Sequence, residues 1–165
     1  MNWQGASGDL IEFEEIIELV KVHSKNNGTV YIGTDSHIKR EKCTFSTAIC
    51  LIGTTNGVKN RYFISRNKTT SKNYPTLLHR ITQEVNKSVD VGLNLLNYCP
   101  KIQIELHLDI SAENKNEKTS QFSSMLVGYA QGSGFNCRIK PDAYAASSVA
   151  DRHAKTIKKK KGEEK

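Results

Sequence analysis

Three short runs rich in β-branched and aromatic residues stand close together in the first half of the chain: Thr29–Thr34 (TVYIGT), Thr44–Ile52 (TFSTAICLI) and Val58–Ser65 (VKNRYFIS). The polar stretches Lys39–Lys42 and Thr54-Thr55-Asn56-Gly57 fall between them, so they predict an antiparallel meander. From Tyr74-Pro75 the hydrophobic period changes. Leu77, Leu78, Ile81, Val85, Val89, Leu93 and Leu96 mark a long helix with Pro75 near its first turn.

Lys101–Ile110 (KIQIELHLDI) then alternates cleanly, with Ile102, Ile104, Leu106, Leu108 and Ile110 on one face and Gln103, Glu105, His107 and Asp109 on the other. Phe122, Met125, Leu126 and Tyr129 predict a second long helix closed by Gly132 and Gly134. Phe135–Lys140 (FNCRIK) is a fifth strand, and a last helix is expected from Ala143 to about Lys158. Ahead of the meander, Leu10, Phe13, Ile16, Ile17 and Val20 recur at helical spacing with Glu12, Glu14, Glu15 and Glu18 between them, a helix ended near Asn27-Gly28.

This order implies an α/β fold with a mixed five-stranded sheet. The meander supplies three strands and helical crossovers reach the other two, which places helices on both faces and adds an N-terminal helix. A length of 165 residues suits one domain. Its expected limits are 9–157, after a flexible stretch at 1–8 and before a Lys-rich tail at 158–165.

The formal charge of +7 favours a polyanionic partner. That signal is diluted, because Lys155, Lys158, Lys159, Lys160, Lys161 and Lys165 against Glu163 and Glu164 place four of the seven net charges in the tail. Cys43, Cys50, Cys99 and Cys137 show no CxxC pair or zinc-type spacing, nothing at the N-terminus reads as a secretory segment, and no apolar run approaches bilayer length. A cytoplasmic protein with free thiols and no membrane partner is expected.

Asp35 follows the first β run, in YIGTDSH, and Asp109 lies at the far end of the alternating strand, in HLDIS. Acids at the carboxyl ends of strands in a crossover sheet fall where ligand sites collect, although each alone could simply cap a turn. Glu84 lies on the inward seam of its helix, three residues after Ile81. Asp151 flanks the Ala145, Ala146, Val149, Ala150 stripe of the last helix. The plain alternatives are salt bridges for both. Taken together, four acids are the all-oxygen set that suits Mg²⁺ or Mn²⁺, and two such ions can cleave a phosphodiester without a nucleophilic side chain.

The ordered set of strand acid, meander, helix acid, strand acid and last-helix acid resembles the ribonuclease H-like fold. The segments YIGTDSH, HLDIS and IKPDAYAASSVADRHAK are similar, more narrowly, to those of the YkuK-type ribonuclease H-like family. The resemblance spans residues 28 to 157. It implies that Asp35, Glu84, Asp109 and Asp151 correspond to metal-binding, catalytic acids, with Asp142 as an alternative to Asp151. It also implies that His153 orders a water or assists product release, and that the substrate is nucleic acid, with RNA in an RNA–DNA hybrid as the first expectation and RNA or DNA as others. A non-catalytic nucleic-acid-binding module and a structural or interaction subunit are the rival classes.

His107 and Glu105 share the Asp109 face and suggest either a supporting shell or a self-contained pair. Ser36 and His37 adjoin Asp35 but point to opposite faces of a strand, so no Ser-His-Asp arrangement is expected. Arg61, Arg66, Lys68 and Lys72, with Tyr62, Tyr74 and His79, make the third run and the segment after it basic and aromatic, either a ribose-phosphate surface or a solvated loop.

Overall fold

The computed structural model describes residues 1–113, 116–143 and Val149. Its strands are β1 (Trp3–Gln4), β2 (Leu10–Ile11), β3 (Thr29–Lys39), β4 (Lys42–Ile52), β5 (Arg61–Thr70), β6 (Ile104–His107) and β7 (Asn136–Arg138). Its α-helices are α1 (Phe13–Lys25), α2 (Leu77–Tyr98) and α3 (Ser123–Gly132). The strands form one mixed sheet in the order β2-β1-β5-β4-β3-β6-β7.

The antiparallel meander β3-β4-β5 is as expected, but longer. β3 pairs β4 from Thr29↔Ile52 to Lys39↔Lys42, and the reversal at Arg40-Glu41 is made with Arg40 at φ 56. Burial fades after Thr34, yet the ladder continues, because paired backbone groups hold two strands together where no core remains to mark them. The third expected run is displaced for the same reason, starting at Arg61 and reaching Thr70 through polar residues. β6 runs parallel to β3 and β7 parallel to β6, with α2 and α3 in the crossovers.

Seven strands replace the five expected. The two additional ones are only two residues long and carry no readable period. Residues 1–8, expected to be flexible, contain Trp3, which is 2% exposed, pairs with Ser65 and stacks on Phe13 at 6.2 Å between ring centroids. Gly8, at φ 90, lies in the reversal that returns β2 against β1. Leu10 consequently belongs to β2 and is exposed, and α1 starts at Phe13. α3, with ten residues, is shorter than expected.

All three described helices pack on one face of the sheet, in a single core that joins Ile16 and Val20 of α1, Ile81 and Val85 of α2 and Leu126 of α3 to the sheet. Helices on both faces were expected. On the second face the described residues show a small cluster of Ala48, Cys50 and Ile64, with Val149 packed against it. The rest of the expected last helix beyond Ala143 lies outside the described residues, as does the Lys-rich tail.

Gly28 allows a close approach that decides how α1 leaves the core. A Cβ at this position would stand 2.1 Å from the buried His23 ring, whose Nε2 lies 3.0 Å from the Ile52 carbonyl. Gly28→Ala is expected to destabilise the fold by about 1–3 kcal/mol, read as a lower urea midpoint at unchanged slope. An unchanged midpoint would show that the ring can move aside.

Candidate active site

Asp35 lies within β3, not at its end, because the ladder runs on to Lys39. Strand alternation sorts its neighbours. Thr34 and Ser36 face α2, as their bonds show: Thr34 Oγ1 lies 2.9 Å from Ser88 Oγ and 3.0 Å from Thr47 Oγ1, while Ser36 Oγ donates to Glu84 Oε1 at 2.5 Å. Asp35 therefore belongs to the opposite face, with its Oδ1 accepting from the Ser36 amide at 2.8 Å. Ser88 Oγ also donates to the Glu84 carbonyl at 3.2 Å. This buried row of hydroxyls, Thr47, Thr34 and Ser88, fixes the rotation of α2 and aims Glu84 at β3. Sequence reading overlooked it, although Ser88, four residues after Glu84 on the apolar stripe, was a signal.

Asp109 reaches the same level of the sheet from the neighbouring strand. β6 pairs with β3 as Val30↔Ile104 through Ile32↔Leu106; at that offset Asp109 is level with Asp35. After His107 the strand gives way to a three-residue turn centred on Asp109, with the Ile110 amide donating to the Leu108 carbonyl at 2.8 Å. The Lys140 amide donates to the Ile110 carbonyl at 2.9 Å, and Lys140 Nζ lies 2.8 Å from Asp109 Oδ1. Just beyond, Ser111 Oγ donates to Glu117.

The charges of these groups act on one another. Burial pushes the Glu84 carboxyl up to about 8; the Ser36 hydrogen bond opposes this, and the negative charges of Asp35 and Asp109 add to it. The hydrogen bond to Asp109 raises the Lys140 ammonium above its ordinary range against the opposing effect of burial, helped by the charges of Asp109, Glu117 and Asp35. Asp35, Glu84, Asp109 and Lys140 therefore form one electrostatic neighbourhood, drawn from β3, α2, the turn after β6 and the end of β7. Among the described residues no three His, Cys, Asp or Glu side chains form a group that could hold a metal ion. Asp151 and His153 lie outside the described residues. Asp142 is exposed in the turn after β7, with its amide donating to the Ile139 carbonyl at 2.9 Å.

The remaining candidates divide. His107 and Glu105 form a separate cluster: Glu105 Oε1 lies 2.7 Å from Arg138 Nε and 3.2 Å from His107 Nε2, and the Tyr31 ring lies 4.8 Å from that of His107. Burial lowers the His107 pKa, with Glu105 opposing. Tyr74 packs edge-on against Phe45 at 4.9 Å, and Thr76 Oγ1 lies 2.6 Å from His79 Nδ1 beside the start of α2, so both have structural partners. Lys68 and Lys72 remain on the surface beside the hairpin end, lining a groove with Glu41 and Lys42.

A mixed sheet led by an antiparallel meander, with one acid on β3, a second level with it in the turn just past the adjacent parallel strand and a third on the intervening helix, is the arrangement of a ribonuclease H-like protein. The ribonuclease H-like family model matches residues 12–155, and the chain belongs to that family. It is 26% identical, over 162 residues, to "Uncharacterized protein YkuK" of Bacillus subtilis (strain 168), covering 87% of this chain and 91% of that protein. No solved structure matches the chain. No helix of the described residues is long and apolar enough to cross a membrane.

Proposed function

We propose that the protein is a divalent-metal-dependent nuclease of ribonuclease H type, with Asp35 and Asp109 as its principal metal-holding acids and Glu84 completing the set. The observation that carries this is the parallel β3–β6 register, which sets Asp35 level with Asp109, with Glu84 of α2 held to the adjacent Ser36 at 2.5 Å. The three described acids do not by themselves form a metal-holding group, so a further donor is needed, but their chemistry is the kind a hard cation takes. The donors are all oxygen, the buried Glu84 carboxyl is raised first by burial and then by its two negative neighbours, and Asp109 attracts a cation, the Lys140 ammonium at 2.8 Å. Mg²⁺ or Mn²⁺, when bound, would supply Lewis-acid activation of a phosphodiester and its attacking water.

The chain's own residues do the rest. Ser36 orients Glu84, the Thr34–Ser88 contact sets the distance of α2 from β3, and Lys140 offsets charge at Asp109. Asp151 is proposed as the fourth acid, and His153 as the group that orders water or helps product leave, both from sequence order alone. Nucleic acid is the proposed partner, RNA in an RNA–DNA hybrid first, and the cytoplasm the proposed location.

Labelled hybrid, single-stranded and junction substrates incubated with Mg²⁺, Mn²⁺ or EDTA test this. Cleavage is expected with either metal and none with EDTA. Cleavage that survives EDTA would remove the metal from the proposal, and tight binding without turnover would leave a nucleic-acid-binding module of the same fold.

A further inference from the structure

We propose that the far end of the β3-β4-β5 ladder is a phosphate-contact surface, on which Lys39, Lys42 and Lys68 hold the backbone of a nucleic acid running past Asp35. This rests on the partner of the nuclease reading above and says where that partner lies. Residues paired across an antiparallel ladder share a face, so register shows how the face carrying Asp35 changes along the strands. Before Asp35 it is apolar, with Ala48, Cys50 and Ile64 packed against Val149. After Asp35 come two polar rows, His37–Thr44–Lys68 and Lys39–Lys42–Thr70. The opposite face of this extension is occupied, with Phe45 buried against Tyr74, which leaves the basic rows as its open side.

Sheet stability does not explain these lysines. Lys39 and Lys42 are direct partners in the ladder, and like charges directly opposite one another destabilise a sheet. Lysine often guards an exposed sheet edge, but Lys42 belongs to β4, which lies between β3 and β5. All three side chains are exposed, and among the described residues none of them forms an ion pair. The turn adds Arg40 at φ 56, a left-handed conformation that favours glycine or asparagine over a long side chain. Across residues 36–45 and 66–73 the one acid, Glu41, stands against six Lys and Arg. A polyanion would relieve that local excess of positive charge.

The spacing suits a nucleic-acid backbone. Lys39 is four residues beyond Asp35 on the same face, about 14 Å at ~3.4 Å per residue. One nucleic-acid strand carries a phosphate every ~3.4 Å of rise, so a strand that offers one to Asp35 places others over both basic rows. Contacts of this kind position the ligand, carry no sequence information and release counterions. Lys39, Lys42 and Lys68 are therefore positioning residues, and they act without regard to base sequence.

Fluorescence anisotropy of the full chain with a labelled RNA–DNA hybrid in EDTA, over a salt series, tests this without metal or turnover. Lys39→Gln/Lys42→Gln/Lys68→Gln is compared with Lys25→Gln/Lys59→Gln/Lys101→Gln, which removes equal charge from exposed positions just ahead of β3, β5 and β6, at the other end of the strands. Loss of three phosphate contacts should reduce the slope of log affinity against log salt by about 2–3 and weaken binding on the order of 100-fold at ~0.1 M salt. The comparison variant should keep nearly the wild-type slope. Equal losses in the two variants, an unchanged slope in the first, or no binding by wild type at low salt would each overturn the proposal. If the first variant fails to fold, Lys68→Gln alone decides, with a slope reduced by about 1. Binding that follows the expected pattern without cleavage in Mg²⁺ or Mn²⁺ would remove the nuclease reading and leave this surface standing.

Discussion

Glu84→Gln is expected to melt higher than wild type when both are metal-free at pH 8, while losing metal-dependent cleavage. Glu84 is 7% exposed, and burial pushes its carboxyl from 4.5 up to about 8. The folded state therefore holds this proton more tightly than the unfolded chain. The associated stability is fully present below about pH 4.5 and is lost as pH rises through about 8. A difference of that size corresponds to about 5 kcal/mol, an upper limit that places the gain in melting temperature on the order of 10 °C. Glutamine keeps an oxygen for the Ser36 hydroxyl and carries no charge to bury. Thermal melts in EDTA between pH 4.5 and 8 should show the two proteins diverging as pH rises. Parallel curves would mean that Glu84 is ionised at no cost, and that its surroundings are wetter than its burial implies. Mn²⁺ should close the gap by stabilising wild type more than the variant, since a ligand that binds only the folded state raises its stability.

Asp35→Asn is the second large effect, and it separates chemistry from folding. Loss of a partner that merely supports a metal ligand costs about 10–100-fold, so loss of a principal ligand is expected to lower cleavage by more than about 100-fold under the same logic. The amide oxygen of asparagine can still accept from the Ser36 amide, which Asp35 Oδ1 does at 2.8 Å, so the melting temperature should change little. The variant also removes one of the two negative charges that raise the Glu84 carboxyl, so the pH-dependent loss of stability should be smaller and complete at lower pH. Initial rates on the labelled substrates, with melts on the same samples, measure both. Undiminished cleavage would remove Asp35 from the site.

Much of this architecture is written in local periodicity. The change from β-branched runs to a 3.6-residue repeat after Tyr74 marks the end of the meander and the start of α2, and the alternation over Lys101–Ile110 locates β6 and Asp109. Glu84 is placed correctly on the buried side of α2. What escaped is what has no period: the two-residue β1 and β2, and the polar extensions of β3 and β5 beyond the core. Trp3 illustrates the limit, since its burial against Ser65 and Phe13 depends on a return of the chain at Gly8 that a loose-looking composition conceals.

By itself, then, the sequence determined the order and type of the main elements and the acids they carry, because hydrophobic spacing records which side of each element meets a core. Only the tertiary structure decided how those acids relate. The parallel register of β3 and β6 sets Asp35 level with Asp109. The hydroxyl row through Thr34 and Ser88 brings Glu84 to Ser36, on the other face from Asp35, and the pairing of Lys140 with the turn at Ile110 delivers an ammonium among them. These are contacts between residues far apart in the chain, fixed by strand register and helix rotation, and no local pattern encodes either.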